Sequence, residues 1–195
     1  SLDRLFARRP DLVRKVFSLR VRDRADALEE LGELPGEDVE PLVLQALRDP
    51  LPAITIRAAR MAAERGFRSP HVVDALGRLF RRPDSEAFET GWRTSDGATP
   101  HVAAARALAA AGTDAALANL LGRFDHVLTH SEYAACGLAK ILGSADRPAL
   151  AVSLVSRLEP ENAHARKSWQ HGDKKVTYTS RDPALMALVL LTGQD

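Results

Sequence analysis

The sequence predicts an all-α fold in which helical hairpins stack into a solenoid, and three observations lead there. Apolar residues make up 45% of the 195 positions, yet Trp and Tyr occur only twice each while Ala, Leu and Arg dominate, a bias towards good helix formers. Five glycines, Gly32, Gly66, Gly112, Gly143 and Gly193, close successive apolar-periodic segments at intervals of 34, 46, 31 and 50 residues. Removing the stretches that begin after Pro83 and Pro160 restores a unit of about 30 residues, a period typical of stacked repeats. Finally, the frame Pro-x8-Trp-x3-Asp occurs twice, as Pro83, Trp92, Asp96 and as Pro160, Trp169, Asp173, with an offset of 77 residues that Gly66 and Gly143 share. A duplicated module of two helical pairs plus one Trp-bearing loop accounts for that offset.

Residues 1–21 form an N-terminal capping region, with Pro10-Asp11 as a helix entry and Leu12, Val13, Val16, Phe17 and Leu19 as its apolar face. A terminal unit of this kind shields the open end of a repeat array. Residues 22–195 form the repeat domain. In the first pair, about 22–49, Ala27, Leu28, Leu31 and Leu34 recur at helical spacing up to Gly32 and Pro35-Gly36. Val39, Leu42, Val43, Ala46 and Leu47 then mark a second helix that stops at Asp49-Pro50.

The second pair, about 53–82, has the stripe Ile54, Ala58, Met61, Ala62, the C-cap candidate Gly66, and a partner helix over 70–81 with Val72, Val73, Leu76, Leu79 and Phe80. The third and fourth pairs are placed at about 100–125 and 131–158, and a terminal helix at 182–192. Insertions at 83–99 and 159–181 carry the two tryptophans. The second insertion, with Lys175-Val176-Thr177-Tyr178-Thr179 following Gly172-Asp173, has the pattern of a short β-hairpin and is the one place where strands are expected. The terminal segment Ala-Leu-Met-Ala-Leu-Val-Leu-Leu is apolar all round, which predicts a cover over Leu188 and Val189 or self-association through this helix.

First helices such as IRAARMAAERG and VAAARALAAAG, followed by second helices such as HVVDALGRLF, resemble the short HEAT repeats of bacterial phycobilin-lyase-type proteins. The resemblance spans residues 22–192 apart from the two insertions. It implies a right-handed α-solenoid of four pairs, and a role as a scaffold or adaptor, since HEAT-like arrays mostly serve as binding surfaces.

One cysteine, Cys136, allows no intrachain disulfide framework and no cysteine-based zinc site. It matches Ala59 at the 77-residue offset, which reads as a packed small position. A reducing, cytoplasmic setting is expected. The longest apolar run, residues 184–191, is too short to cross a bilayer, so no membrane partner is expected. His126 and His130 lie four apart beside Asp125 and Glu132, but without an inner Glu they read as a packing and capping pair rather than a metal site. Phosphate-binding glycine loops, nucleophile elbows and zinc-protease motifs are absent, and neither a cofactor nor a catalytic residue is indicated.

The net charge of +1 hides strong blocks. Residues 1–24 carry eight Arg or Lys against three acids, residues 25–49 carry eight acids against Arg48, and residues 57–82 carry seven arginines against Glu64 and Asp74. Such blocks are either solvated helix faces or a stripe for an anionic partner. The candidate binding residues are Trp92, Asp96, Trp169, Asp173 and Tyr178 of the loops, with Arg57, Arg60, Arg81, Lys174 and Lys175. An aromatic and a carboxylate in each loop suit a peptide or a stacked base; packing of each Trp between neighbouring pairs is the structural alternative.

Three readings of function follow. The preferred one is a non-catalytic HEAT-type scaffold for a protein or peptide, because the charge is near neutral and the first loop is acidic. The alternative is a nucleic-acid-binding protein resembling the HEAT-like alkylpurine DNA glycosylases, in which Asp96 or Asp173 would stabilise a cationic sugar. The third is a maturation factor of phycobilin-lyase type, on the repeat resemblance alone.

Overall fold

The computed structural model describes residues 2–81, 99–122, 152, 154–156, 158, 165–171, 174–179 and 181–192. Expectations for Trp92, Asp96, His126, His130, Cys136, Asp173 and the helix at 132–142 lie outside these residues. The chain divides into two compact units, Ser1–Ala115 and Ala116–Asp195. The described elements are helices apart from one two-stranded ribbon.

The first unit contains α1 (Leu2–Arg8), α2 (Pro10–Val16), α3 (Val21–Gly32), α4 (Gly36–Ala46), α5 (Pro52–Arg65), α6 (Pro70–Arg81) and α7 (Pro100–Ala111). The N-terminal region is two short helices rather than one. Arg9 is held out of helical geometry at φ −139° and ψ 61°, because the ring of Pro10 disfavours the α conformation of the residue before it. Pro10 then opens α2, where a missing N–H costs nothing. Pro52 and Pro100 open α5 and α7 in the same way, and Pro70 opens α6. Hydroxyls complete two of these starts: Ser69 Oγ accepts from Val72 N at 3.3 Å, and Thr99 Oγ1 accepts from Val102 N at 3.3 Å.

Helix ends differ in a way that the glycines alone do not predict. Gly66 is left-handed at φ 62°, and Phe67 N returns to Ala62 O at 3.1 Å while Gly66 N reaches Ala63 O at 3.3 Å. This is the Schellman arrangement, with the ring of Phe67 buried after it. Gly112 is likewise left-handed at φ 61° and donates to Leu108 O. Gly32 is not a left-handed cap. Helix α3 runs through it and tightens, with Glu33 N on Glu30 O at 3.2 Å and Leu34 N on Leu31 O at 3.2 Å, which leaves the carbonyl of Gly32 for a side chain to satisfy.

That side chain is Arg65, whose Nη2 donates to Leu31 O at 3.4 Å and to Gly32 O. A cation on the last carbonyls of a helix also complements its dipole. Further back, Arg57 Nη1 donates to Glu29 Oε1 at 2.8 Å. The contacts advance along both helices in the same direction, so α3 and α5 run parallel with their C-terminal ends side by side.

Contacts continue in this order: α3 packs on α5 and α5 on α7, while α4 packs on α5 and also touches α6. Helix α5 buries Ala58, Ala59 and Ala62, and α7 buries Ala103, Ala104, Ala105, Ala107, Ala109 and Ala111. Small side chains on both partners allow a short interaxial distance. In α6 the buried face is Val72, Val73, Ala75, Leu76, Leu79 and Phe80, with His71, Asp74, Arg78 and Arg81 exposed, an amphipathic pattern of period 3.6.

The second unit takes in most of α8 (Asp114–Leu121), in which Ala116 and Leu120 are buried one turn apart. Residues 152 and 154–156 are helical, with Leu154 fully buried. Strand β1 (Ala165–His171) pairs antiparallel with β2 (Lys174–Thr179), with His171 opposite Lys174. Helix α9 (Arg181–Thr192) buries Ala184 and Ala187, and Leu188 and Val189 are partly buried. On the same helix Leu185 is 54% exposed.

Candidate docking surfaces

Two places in the chain present groups suited to holding a partner. The first, in the N-terminal unit, is built on a buried ion pair. Arg24, one turn into α3, donates through Nε to Asp49 Oδ2 at 2.6 Å and through Nη2 to Asp49 Oδ1 at 3.3 Å. The two side chains are only 12% and 7% exposed, so neither relies on water for its partner. Arg24 Nη1 also donates to Ser18 O at 2.8 Å, and Asp49 Oδ1 accepts from Leu51 N at 2.9 Å. One bidentate pair thereby joins the turn before α3 to the turn before α5.

The turn is fixed further by Ser18, whose Oγ donates to Asp23 Oδ2 at 2.7 Å and accepts from Arg20 N at 3.1 Å. These bonds end α2 at Val16 and take Phe17 and Leu19 out of the predicted helix face. Leu19 is 98% exposed and Phe17 53%. A cavity of about 380 Å³ opens beside them, with Val16, Leu28, Ala46 and Ile54 among its lining. This volume lies within the usual range of ligand clefts.

A second ionic group ties α2 to α3. Glu30 accepts from Lys15 Nζ and from Arg9 Nη2, the latter at 3.3 Å. The hydrogen bond from Lys15, followed by the charges of Lys15 and Arg9, holds the Glu30 carboxyl below its ordinary range. The same hydrogen bond, with the charge of Glu30, raises the Lys15 ammonium. A lowered carboxylate pKa contributes stability above its unfolded value of about 4.3 and loses it as pH falls through the folded value; a raised ammonium pKa contributes below about 10.4 and loses it at higher pH. The difference in urea midpoint between the wild type and Glu30→Gln is therefore expected to be largest near neutral pH and to close below about pH 4. A difference independent of pH would show that the pair is silent.

The second place is the ribbon. Its register sets Trp169 opposite Val176, Lys167 opposite Tyr178 and Gln170 opposite Lys175. Strand parity puts positions 167, 169 and 171 of β1 on one face with positions 174, 176 and 178 of β2.

Trp169, Tyr178, Lys174 and Lys175 come together in the ribbon, whereas Trp92, Asp96 and Asp173 lie outside the described residues. Arg57 is engaged with Glu29, and Arg65 caps α3, so these cations of the second pair are used within the chain. Arg60 and Arg81 also have interaction partners. Sequence reasoning missed the Arg24–Asp49 pair and the cleft. The available signal was the pair of large apolar residues, Phe17 and Leu19, either side of a serine just before a charged helix start. No group of His, Cys, Asp and Glu suited to a metal occurs among the described residues, and no described helix is long and apolar enough to cross a membrane. No protein-family model matches the chain, and no curated protein matches it.

Proposed function

We propose that the chain is a HEAT-like helical-repeat scaffold that binds a protein or peptide partner and carries out no catalysis of its own. The observation that carries this reading is the parallel register of α3 and α5, with the carbonyls of Leu31 and Gly32 capped by Arg65. Equivalent ends of successive first helices then lie together about one repeat apart, and α7 continues the series against α5. Repeat stacks of this kind present long surfaces, and their partners are held by residues added at the edges.

The ribbon is the favoured contact. Trp169 and Tyr178 offer aromatic anchor area, and Arg166, Lys167, Lys174 and Lys175 make the ribbon basic, which favours an acidic protein segment. Arginines already committed to Glu29 and to the end of α3 argue against a phosphate-tracking stripe along the second pair. The test is capture of partners on immobilised wild type and on the folded Trp92→Ala, Trp169→Ala double variant, followed by titration of the identified partner. The double variant is expected to lose at least about tenfold in affinity, as truncation of an aromatic anchor does. Equal binding would remove the Trp loops from the site, and salt-sensitive binding of labelled oligonucleotides at low ionic strength would put the nucleic-acid reading in its place.

A further inference from the structure

We propose that the cleft beside the α2–α3 turn is a second docking site, which takes a bulky apolar side chain from an acidic, extended protein segment. It is independent of the ribbon. Its lining includes buried Val16, Leu28, Ala46 and Ile54, and its lip includes Phe17 and Leu19. A leucine that is 98% exposed gains nothing from the fold that displays it. Its position beside an apolar-lined cavity is what a partner's side chain would use, since closing over the cleft removes both surfaces from water.

The charges at the cleft select the partner. The carboxylate in the lining, Asp49, is spent inside the chain on Arg24 and on Leu51 N, and Asp23, at the start of α3, is spent on the Ser18 hydroxyl. Three exposed arginines are not. Arg48 lines the cleft, Arg20 follows Leu19 in the turn, and Arg22 is the second residue of α3. None of the three forms a side-chain ion pair with a described residue. Among the charged residues that line the cleft, Arg24 and Asp49 neutralise each other and Arg48 remains, so the unspent charge of the lining is positive, and a carboxylate flanking the anchor would meet a guanidinium able to bind it bidentately. A basic segment would be repelled at the same rim, so charge gives specificity where the apolar cavity gives contact.

A library of random twelve-residue peptides displayed on phage, panned on the whole chain and counter-selected on the Phe17→Ser, Leu19→Ser double variant, tests this. Both substituted side chains are exposed, and circular dichroism with a urea midpoint would verify that the variant folds. The expected result is enrichment of peptides with Leu, Phe or Trp beside Asp or Glu. A synthetic member should lose at least about tenfold in affinity on the double variant and on Arg48→Glu, and should bind Trp169→Ala as tightly as wild type. No enrichment, enrichment of basic peptides, or unchanged affinity on the double variant would overturn the proposal. Loss of binding on Trp169→Ala would also overturn it, by assigning the peptide to the ribbon. Concentration-dependent self-association abolished by the double variant would make the cleft an interface between copies of this chain.

Discussion

Replacing Asp49 with alanine is expected to destabilise the N-terminal unit by about 3–5 kcal/mol, the cost of leaving one member of a buried ion pair alone. The side chain is 7% exposed and carries three hydrogen bonds, two from Arg24 and one from Leu51 N. Without it the guanidinium of Arg24, 12% exposed, keeps only the carbonyl of Ser18. Surface pairs such as Arg57–Glu29, 47% and 70% exposed, are each worth about 0–1 kcal/mol. Burial rather than charge count decides the difference. Replacing both partners with apolar residues, Arg24→Met with Asp49→Leu, should recover most of the loss, because no unpaired charge then remains. Urea unfolding of the two single variants and the double variant measures this directly. An Asp49→Ala loss below about 1 kcal/mol would place the pair among the ordinary surface bridges.

The contrast between this pair and the helices shows where local sequence carries information. Helices α5, α6 and α7 are readable because their starts and their apolar stripes are local: proline at the first helical position, Ser69 and Thr99 before it, and a face repeating every three to four residues. Gly66 and Gly112 are readable for the same reason, since each closes its helix in the left-handed conformation. Gly32 follows the same spacing but does not do so, because the end of α3 is satisfied from 33 residues away by Arg65.

Phe17 and Leu19 also fit a helical stripe by spacing, and the stripe is broken by Ser18, Asp23 and Arg24 acting together. The alternating charge blocks were visible in the sequence, but their meaning was not. Pairing of Arg9 and Lys15 with Glu30, of Arg24 with Asp49 and of Arg57 with Glu29 spans 15 to 28 residues. Much of the alternation is the ionic stitching of one helix to the next, and the cleft is legible only after those partners have been removed from the count of free charges.

Truncation of Phe80 to alanine is expected to cost about 3–5 kcal/mol, and where that loss appears tests the repeat architecture itself. Phe80 has no exposed surface and lies near the end of α6, which packs on α4 and α7. Two positions earlier, Arg78 forms a pair with Asp74 at 2.7 Å, but these side chains are 57% and 54% exposed. Arg78→Ala should therefore cost only about 0.3–0.5 kcal/mol. In a stacked array each pair is held mainly by its neighbours, so a defect in α6 should be felt locally. Amide exchange in Phe80→Ala is then expected to accelerate across residues 36–46, 70–81 and 100–111, the helices in contact with α6, while residues 10–32 keep their protection, with a broadened urea transition. A uniform loss of protection across the first unit, with a single sharp transition, would instead describe one cooperative core, and the scaffold reading would lose its architectural basis. The two outcomes separate because coupling in a repeat stack decays with distance along the array, whereas a single core spreads the cost of one cavity over every element that packs against it.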